Sequence, residues 1–357
     1  MTAQPKSAEI KENTPMAGEK IVNLALQGSG SHGAFTWGVL DRLLEEDRLK
    51  IVAISGTSAG AMNAAVLAHG WTKGGAEGAR SALEHYWQRV SRAAAFSPLQ
   101  RSPVDRILGR WTLDTSPAYV FMDLMSRVIS PYAVNPFDLN PLRGILADSI
   151  DFERLSRSPI KIFVTATSVR TGRGRIFRNA DITADVLLAS ACLPTMFRAV
   201  EIDGEPYWDG GYAGNPTITP LVRESDAHDT ILVQINPRER AETPRSAADI
   251  LNRLNEISFN SPLMKELRMI ALLRQVAGEV ADGGTGEGYR WAQMRTHRIA
   301  TDMLAQFGAS SKLNAEREFV TLLRTEGRRA ASQFLHASAG DLGKRSTTDL
   351  DVLLAEC

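Results

Sequence analysis

The chain has 357 residues, 43% apolar and 23% charged, enough to bury a substantial core as one large domain or two smaller ones. Lysine plus arginine and aspartate plus glutamate both number 41, and this neutral balance excludes a broad basic face for nucleic acid or an anionic membrane. Contact with a lipid surface, if made, has to be local and apolar. Only Cys192 and Cys357 occur, a poor pair for a structural disulfide and one that fits a reducing compartment.

Residues 1–19 are polar, mixed in charge and without an apolar core. They read as neither a secretory nor a mitochondrial signal but as a disordered tail, and the protein as cytoplasmic. Ile21–Gln27 (IVNLALQ) is predicted to be a buried strand ending at a glycine cluster. Ala34–Glu46 follows, with Trp37, Leu40, Leu43 and Leu44 at helical spacing. Lys50–Ser55 is a second buried strand, followed by a small-residue turn and a helix from about Ala59 to Ala68. Strand, helix, strand, helix in this order argues for a parallel sheet with crossover helices. Residues 71–157 are less regular, with a helix over Ala76–Val90 and then segments rich in proline and aromatics. Strands are predicted at Ile160–Val169, Arg175–Arg178, Val200–Ile202 and Thr230–Ile235. From Ser246 to His336 the pattern reads as helical, interrupted by a flexible glycine-rich run at Asp282–Gly288, and Asp349–Leu354 suggests a last short element.

Three constellations carry chemistry. Gly56-Thr57-Ser58-Ala59-Gly60 is a G-x-S-x-G pattern lying directly between a strand and a helix. That is the setting of a nucleophile elbow, in which a strained turn pushes the serine hydroxyl out of the sheet. Gly28-Ser29-Gly30-Ser31-His32-Gly33 also joins a strand to a helix, and its backbone N–H groups suit an oxyanion or a phosphate. It spells G-x-G-x-x-G as well, so a nucleotide-binding oxidoreductase is an alternative. The acids that would meet a ribose, Glu45, Glu46 and Asp47, fall before the second strand rather than after it. Asp209-Gly210-Gly211 alone is a tight turn, but together with the other two it offers the base that a serine nucleophile needs.

Together these residues resemble the patatin-like phospholipases: a glycine-rich loop after the first strand, G-x-S-x-G after the second, and D-G-G much later. The segment ASACLPTMF (189–197) and Asn215-Pro216 add to the resemblance, which covers roughly residues 21–236. It implies a three-layer α/β/α sandwich with a mainly parallel sheet. Residues 20–240 would form the catalytic domain, and 241–357 a helical C-terminal extension packed on it. It also implies a Ser58–Asp209 dyad without a catalytic histidine. Backbone amides of Gly28, Ser29 and Gly30 would form the oxyanion hole, with His32, Gly33, Gly56, Gly60, Gly210 and Gly211 as supporting motif positions. The expected substrate is an acyl-ester lipid, with transient membrane-surface contact, no nucleic-acid partner, no metal and no cofactor. Two positions depart from the family pattern. Ser29 replaces a glycine and is expected to crowd the loop, which leaves a catalytically silent scaffold as a further alternative. His32 stands where Arg or Lys is usual, and its charge is expected to vary near neutral pH.

The six histidines, 32, 69, 85, 228, 297 and 336, show no metal-ligand spacing. Chain order also permits a Ser58–Asp209–His228 triad, although His228 sits in a polar segment entering a strand. Leu263–Val280 reads as a helix covering the core, with a lipid-facing lid as the alternative. Pro117–Tyr132, rich in Tyr, Phe, Met and Leu, is an equal candidate for the acyl-chain pocket.

Overall fold

A computed structural model describes residues 18–135, 138–240, 242–279 and 286–352. The tail 1–17, most of the glycine-rich run at 282–288 and the end of the element expected at 349–354 lie outside the described residues. Strands β1 (Lys20–Leu26), β2 (Leu49–Gly56), β3 (Lys161–Ser168), β4 (Gly174–Arg178), β5 (Val200–Ile202), β6 (Glu205–Asp209), β7 (Asp229–Val233) and β8 (Arg295–Ile299) form one sheet. Its parallel body is ordered β3-β2-β1-β7-β8, and β4, β5 and β6 join antiparallel at the β3 side.

Successive strand side chains point to opposite faces, and the chain fills both faces with apolar residues. Leu24, Leu26, Ile54, Ile162, Val164, Ile231 and Val233 belong to one core, whereas Ala25, Ala53, Phe163 and Leu232 belong to the other. Such strands read as continuous apolar runs because helices cover them on both sides. The first face is covered by α1 (Gly33–Leu43), α2 (Ala59–Ala95), which is interrupted at Gly74 and Gly75, and residues of α8 (Arg317–Ser338). Between α2 and α8 in the chain lie α3 (Pro117–Val128), α4 (Pro131–Val134) and α5 (Ala184–Ser190). The second face is covered by α6 (Thr219–Glu224) and the later part of α7 (Ala247–Glu279), through Leu263, Leu267, Ile270 and Ala271. The result is a three-layer α/β/α arrangement with a mostly parallel sheet. Among the described residues no helix is long and apolar enough to cross a membrane.

Two elements differ from the sequence reading. The stretch 246–336, read as helical, contains β8. Its sequence RTHRI hides a strand because its buried positions Thr296 and His297 are polar. Strand β6 was not foreseen either, since EPYWD is half polar. It proves decisive for the site. On one edge β3 carries β4; on the other it pairs first with β2, up to Gly56↔Val164, and then with β6, starting at Ala166↔Asp209. Strand β6 thus takes the edge that β2 leaves when it turns away.

Candidate active site

The turn that ends β2 is sharply strained. Ser58 sits at φ 53°, ψ −124°, a left-handed backbone that a residue with a Cβ adopts only when its surroundings enforce it. The close approach of strand, loop and helix enforces it here. A Cβ on Gly60 would collide with the Leu26 carbonyl, and one on Gly28 with the Thr57 carbonyl and the Ser58 side chain. Polar straps hold the turn: Ser58 N–H donates to Ser190 Oγ (2.9 Å), whose own proton goes to the Thr165 carbonyl (2.7 Å), and Thr57 Oγ1 donates to the Gly214 carbonyl (2.6 Å). Ser58 caps the N-terminus of α2 and stays partly accessible, where the positive helix end favours developing negative charge.

Because β6 continues along the edge vacated by β2, its last residue, Asp209, is delivered beside that turn. Its backbone is fixed by the Cys192 carbonyl, which accepts from Asp209 N–H (2.8 Å), and by Thr167 Oγ1, which donates to the Asp209 carbonyl (2.8 Å). Only a glycine fits next, since a Cβ on Gly210 would meet the Thr165 carbonyl. The Asp209 side chain is buried, accepts a 2.7 Å bond from Gly211 N–H and lies near enough to the Ser58 side chain to be influenced by it. Burial pushes its pKa up to about 7, while the bond from Gly211 and the nearby Ser58 side chain pull the other way. A carboxylate poised near neutrality is suited to exchanging protons with a hydroxyl.

The glycine loop is held by two asparagines. Gly28 N–H donates to Asn215 Oδ1 (2.7 Å), and the Gly28 carbonyl accepts from both Asn215 Nδ2 (3.2 Å) and Asn236 Nδ2 (3.0 Å). The Gly28 amide is therefore occupied, a correction to the expected three-amide hole. The amides of Ser29 and Gly30 have no hydrogen-bond partner among the described residues. The Ser29 hydroxyl donates to Asn236 Oδ1 (3.0 Å) and so anchors the loop. His32 is corrected as well. It is buried against Phe307 and Phe319, and desolvation, with Lys312 and Arg240 nearby, lowers its pKa to about 3. Ser311 Oγ gives its proton to the Gly308 carbonyl (2.7 Å) and so accepts from His32 Nε2–H (2.8 Å). His32 is a neutral tether of the loop with no titration near neutrality.

No histidine touches Ser58 or Asp209 among the described residues. His228 precedes β7, whose Asp229–Val233 pairs with Val22–Leu26 of β1. It lies at the opposite end of the strands from the turn, roughly 15 Å away at 3.3 Å per residue. His297 is buried with its ring nitrogens on Asp229 and Thr347. Among the described residues no three His, Cys, Asp or Glu side chains group as metal ligands would. Sequence reasoning missed Asn236 and Ser190; the only signal for Asn236 was a polar residue just past an apolar strand.

Residues 24–222 match the family model described as Patatin-like phospholipase. No curated protein matches the sequence. Among solved structures, VipD from Legionella pneumophila is 14% identical over 95% of this chain and 79% of its own, with a TM-score of 0.34. The type III effector ExoU is 14% identical over 89% of this chain and 53% of its own, with a TM-score of 0.31. Both are remote, and the family match, covering more than half of the chain, carries the assignment: this chain belongs to the patatin-like phospholipase family, a family of lipid hydrolases.

Proposed function

We propose that the chain is a serine lipid acyl hydrolase acting through Ser58 and Asp209, without a catalytic histidine, metal or cofactor. The observation that carries this reading is the buried Asp209 carboxylate, whose pKa the neighbouring Ser58 side chain lowers, set beside Ser58 at a strained strand–helix turn. Ionised Asp209 accepts the Ser58 proton as Oγ attacks the ester carbonyl carbon of a phospholipid or glyceride. The negative charge that forms on the carbonyl oxygen is met by the free amides of Ser29 and Gly30 and by the end of α2. Collapse of the tetrahedral intermediate breaks the ester C–O bond, and the leaving alcohol takes the proton from Asp209. Water then gives a proton to Asp209 and attacks the acyl-enzyme, releasing the fatty acid and returning the proton to Ser58. A dinucleotide site has no support here, because β2 runs into the serine turn and Glu45 is paired with Arg80 and Arg328. Fluorophosphonate labelling and turnover of a panel of acyl esters test the proposal. Wild type is expected to label and turn over, and folded Ser58→Ala to do neither; residual turnover within tenfold of wild type rejects it.

A further inference from the structure

Phe259, on α7, is a large aromatic side chain with no place in either core. It is half-buried and packs against neither of the two apolar clusters on the faces of the sheet. Its neighbours are at the serine site instead. A Cβ on Gly211 would stand 2.9 Å from Phe259 Cδ1 and 3.0 Å from Asp209 Oδ1. Ring edge and carboxylate oxygen are therefore no farther apart than those two lengths laid end to end, and glycine at 211 is what lets them come so close. Tyr212 meets the same ring edge-on, with centroids 5.1 Å apart. The family match ends at residue 222, so this ring reaches the site from outside the matched region.

Polar anchors on both sides of Phe259 fix the helix in this position. Asn260, the next residue, accepts from Gln27 Nε2 (3.1 Å) and donates to the Pro237 carbonyl (3.0 Å), tying α7 to the segments that follow β1 and β7. One turn earlier, buried Glu256 accepts from Arg240 (2.6 Å) and Arg253 (3.2 Å). Two turns later, Glu266 accepts from Ile218 N–H (2.8 Å) and Thr219 N–H (2.9 Å) at the start of α6. A helix that shifted would leave these groups unpaired, which makes the placement of the ring specific.

Resting on the acyl hydrolase reading above, we infer that Phe259 is a positioning residue of the site, whose ring shields the Asp209 carboxylate from water and so keeps it basic enough to take the Ser58 proton. An apolar cover disfavours the charged form of a carboxyl group, and burial is the largest influence on Asp209. The other titratable groups facing it, Cys192 and Tyr212, are raised by burial and by Asp209 itself and stay neutral. On α7, Glu256 and Glu266 are taken up by the anchors just described. Among the described residues no Lys, Arg or His pairs with Asp209, so apolar cover rather than a neighbouring charge governs its basicity.

The test titrates the full chain, carrying carbon-13 in its aspartate carboxyl groups, by NMR, with the Asp209 signal assigned by its loss in Asp209→Asn. The wild-type signal is expected to titrate at about 7. Phe259→Ala should bring that midpoint down by at least about one unit, toward the ~4 of an ordinary aspartate. The acidic limb of kcat/KM on a soluble short-chain ester should move by the same amount, and kcat at about pH 8 should fall about threefold or more. Phe259→Leu retains an apolar cover and should keep the midpoint within about half a unit of wild type. Leu254→Ala, an exposed position on the same helix, should leave both readouts unchanged. An unmoved Asp209 midpoint in folded Phe259→Ala overturns the inference, even if KM rises, because the ring would then only line the substrate site. A shift shared by Leu254→Ala also overturns it, since any loosening of α7 would suffice. A midpoint that shifts as expected in a protein that turns over no ester would instead strike at the hydrolase reading and leave the shielding standing.

Discussion

Asp209 and Asp229 are both buried, and they stand at opposite ends of the sheet. Asp209 closes β6 beside the serine turn and receives one amide bond, so burial wins and its pKa rises to about 7. Asp229 opens β7. Burial would raise it too, but His297 (2.9 Å), Arg295 (2.7 Å) and Gly343 N–H (2.9 Å) converge on it and hold it at about 2. The comparison shows how the number of donors given to one residue type moves its pKa up or down. A carboxylate with every lone pair satisfied fastens the C-terminal segment to the sheet. One left short of donors is costly to ionise and ready to take up a proton.

The largest effect is expected at the under-supplied carboxylate. Asp209→Asn keeps a hydrogen-bonding group but cannot accept the proton, so turnover should fall by about a thousandfold or more. The wild-type pH profile should rise through about pH 7, because the ionised form is the active one. Stability should move in the opposite sense. The folded pKa lies above the unfolded one, so wild type loses stability as pH climbs from about 4 to about 7, by about 1.4 kcal/mol per unit of displacement. At pH 8 Asp209→Asn should therefore melt higher than wild type, by an amount on the order of a few kcal/mol, and the gap should close near pH 4. Thermal melts at the two pH values check this, and an equal gap at both would contradict it.

A second effect concerns the loop. Asn236→Ala removes the anchor of Ser29 and one donor to the Gly28 carbonyl. Loss of oxyanion geometry should lower kcat by roughly tenfold to a hundredfold with little change in KM. Steady-state kinetics on a soluble ester reads the split, and a change confined to KM would show that Asn236 shapes binding instead.

The smallest effect on turnover is expected at the saturated carboxylate. Asp229→Asn leaves Arg295 without its counter-charge and His297 without its carboxylate partner, and should cost about 3 kcal/mol of stability. Turnover per folded molecule should stay within about twofold, and the same holds for His228→Ala at that end of the sheet. Urea melts with activity normalised to folded protein check both. A collapse of normalised turnover in either variant would mean that the two ends of the sheet are coupled.

Much of the site was legible because it is local. The G-x-S-x-G turn, the glycine loop and the strands before them are each specified within a few residues, by β-branched runs and by glycines where backbones touch. Less legible were features built from distant segments. Strand β6 is half polar, and only its pairing with the free stretch of β3 makes it a strand and sets Asp209 beside Ser58. Strand β8 reads as helix in the sequence because polar Thr296 and His297 occupy its buried places.

By itself the sequence determined the opening strand–helix–strand–helix order, the strained serine turn and the identity of the dyad candidates, because backbone sterics and apolar periodicity act over short spans. Tertiary structure alone decided the electrostatics. His32 is neutral because Phe307, Ser311 and Phe319 arrive from nearly 300 residues away in the chain to bury it. The Gly28 amide is spent because Asn215 folds back onto it. Burial pushes the pKa of Asp209 up to about 7 because packing strips it of water and gives it a single amide donor. Protonation and hydrogen-bond supply depend on what surrounds a group in space, and spacing along a chain does not encode that.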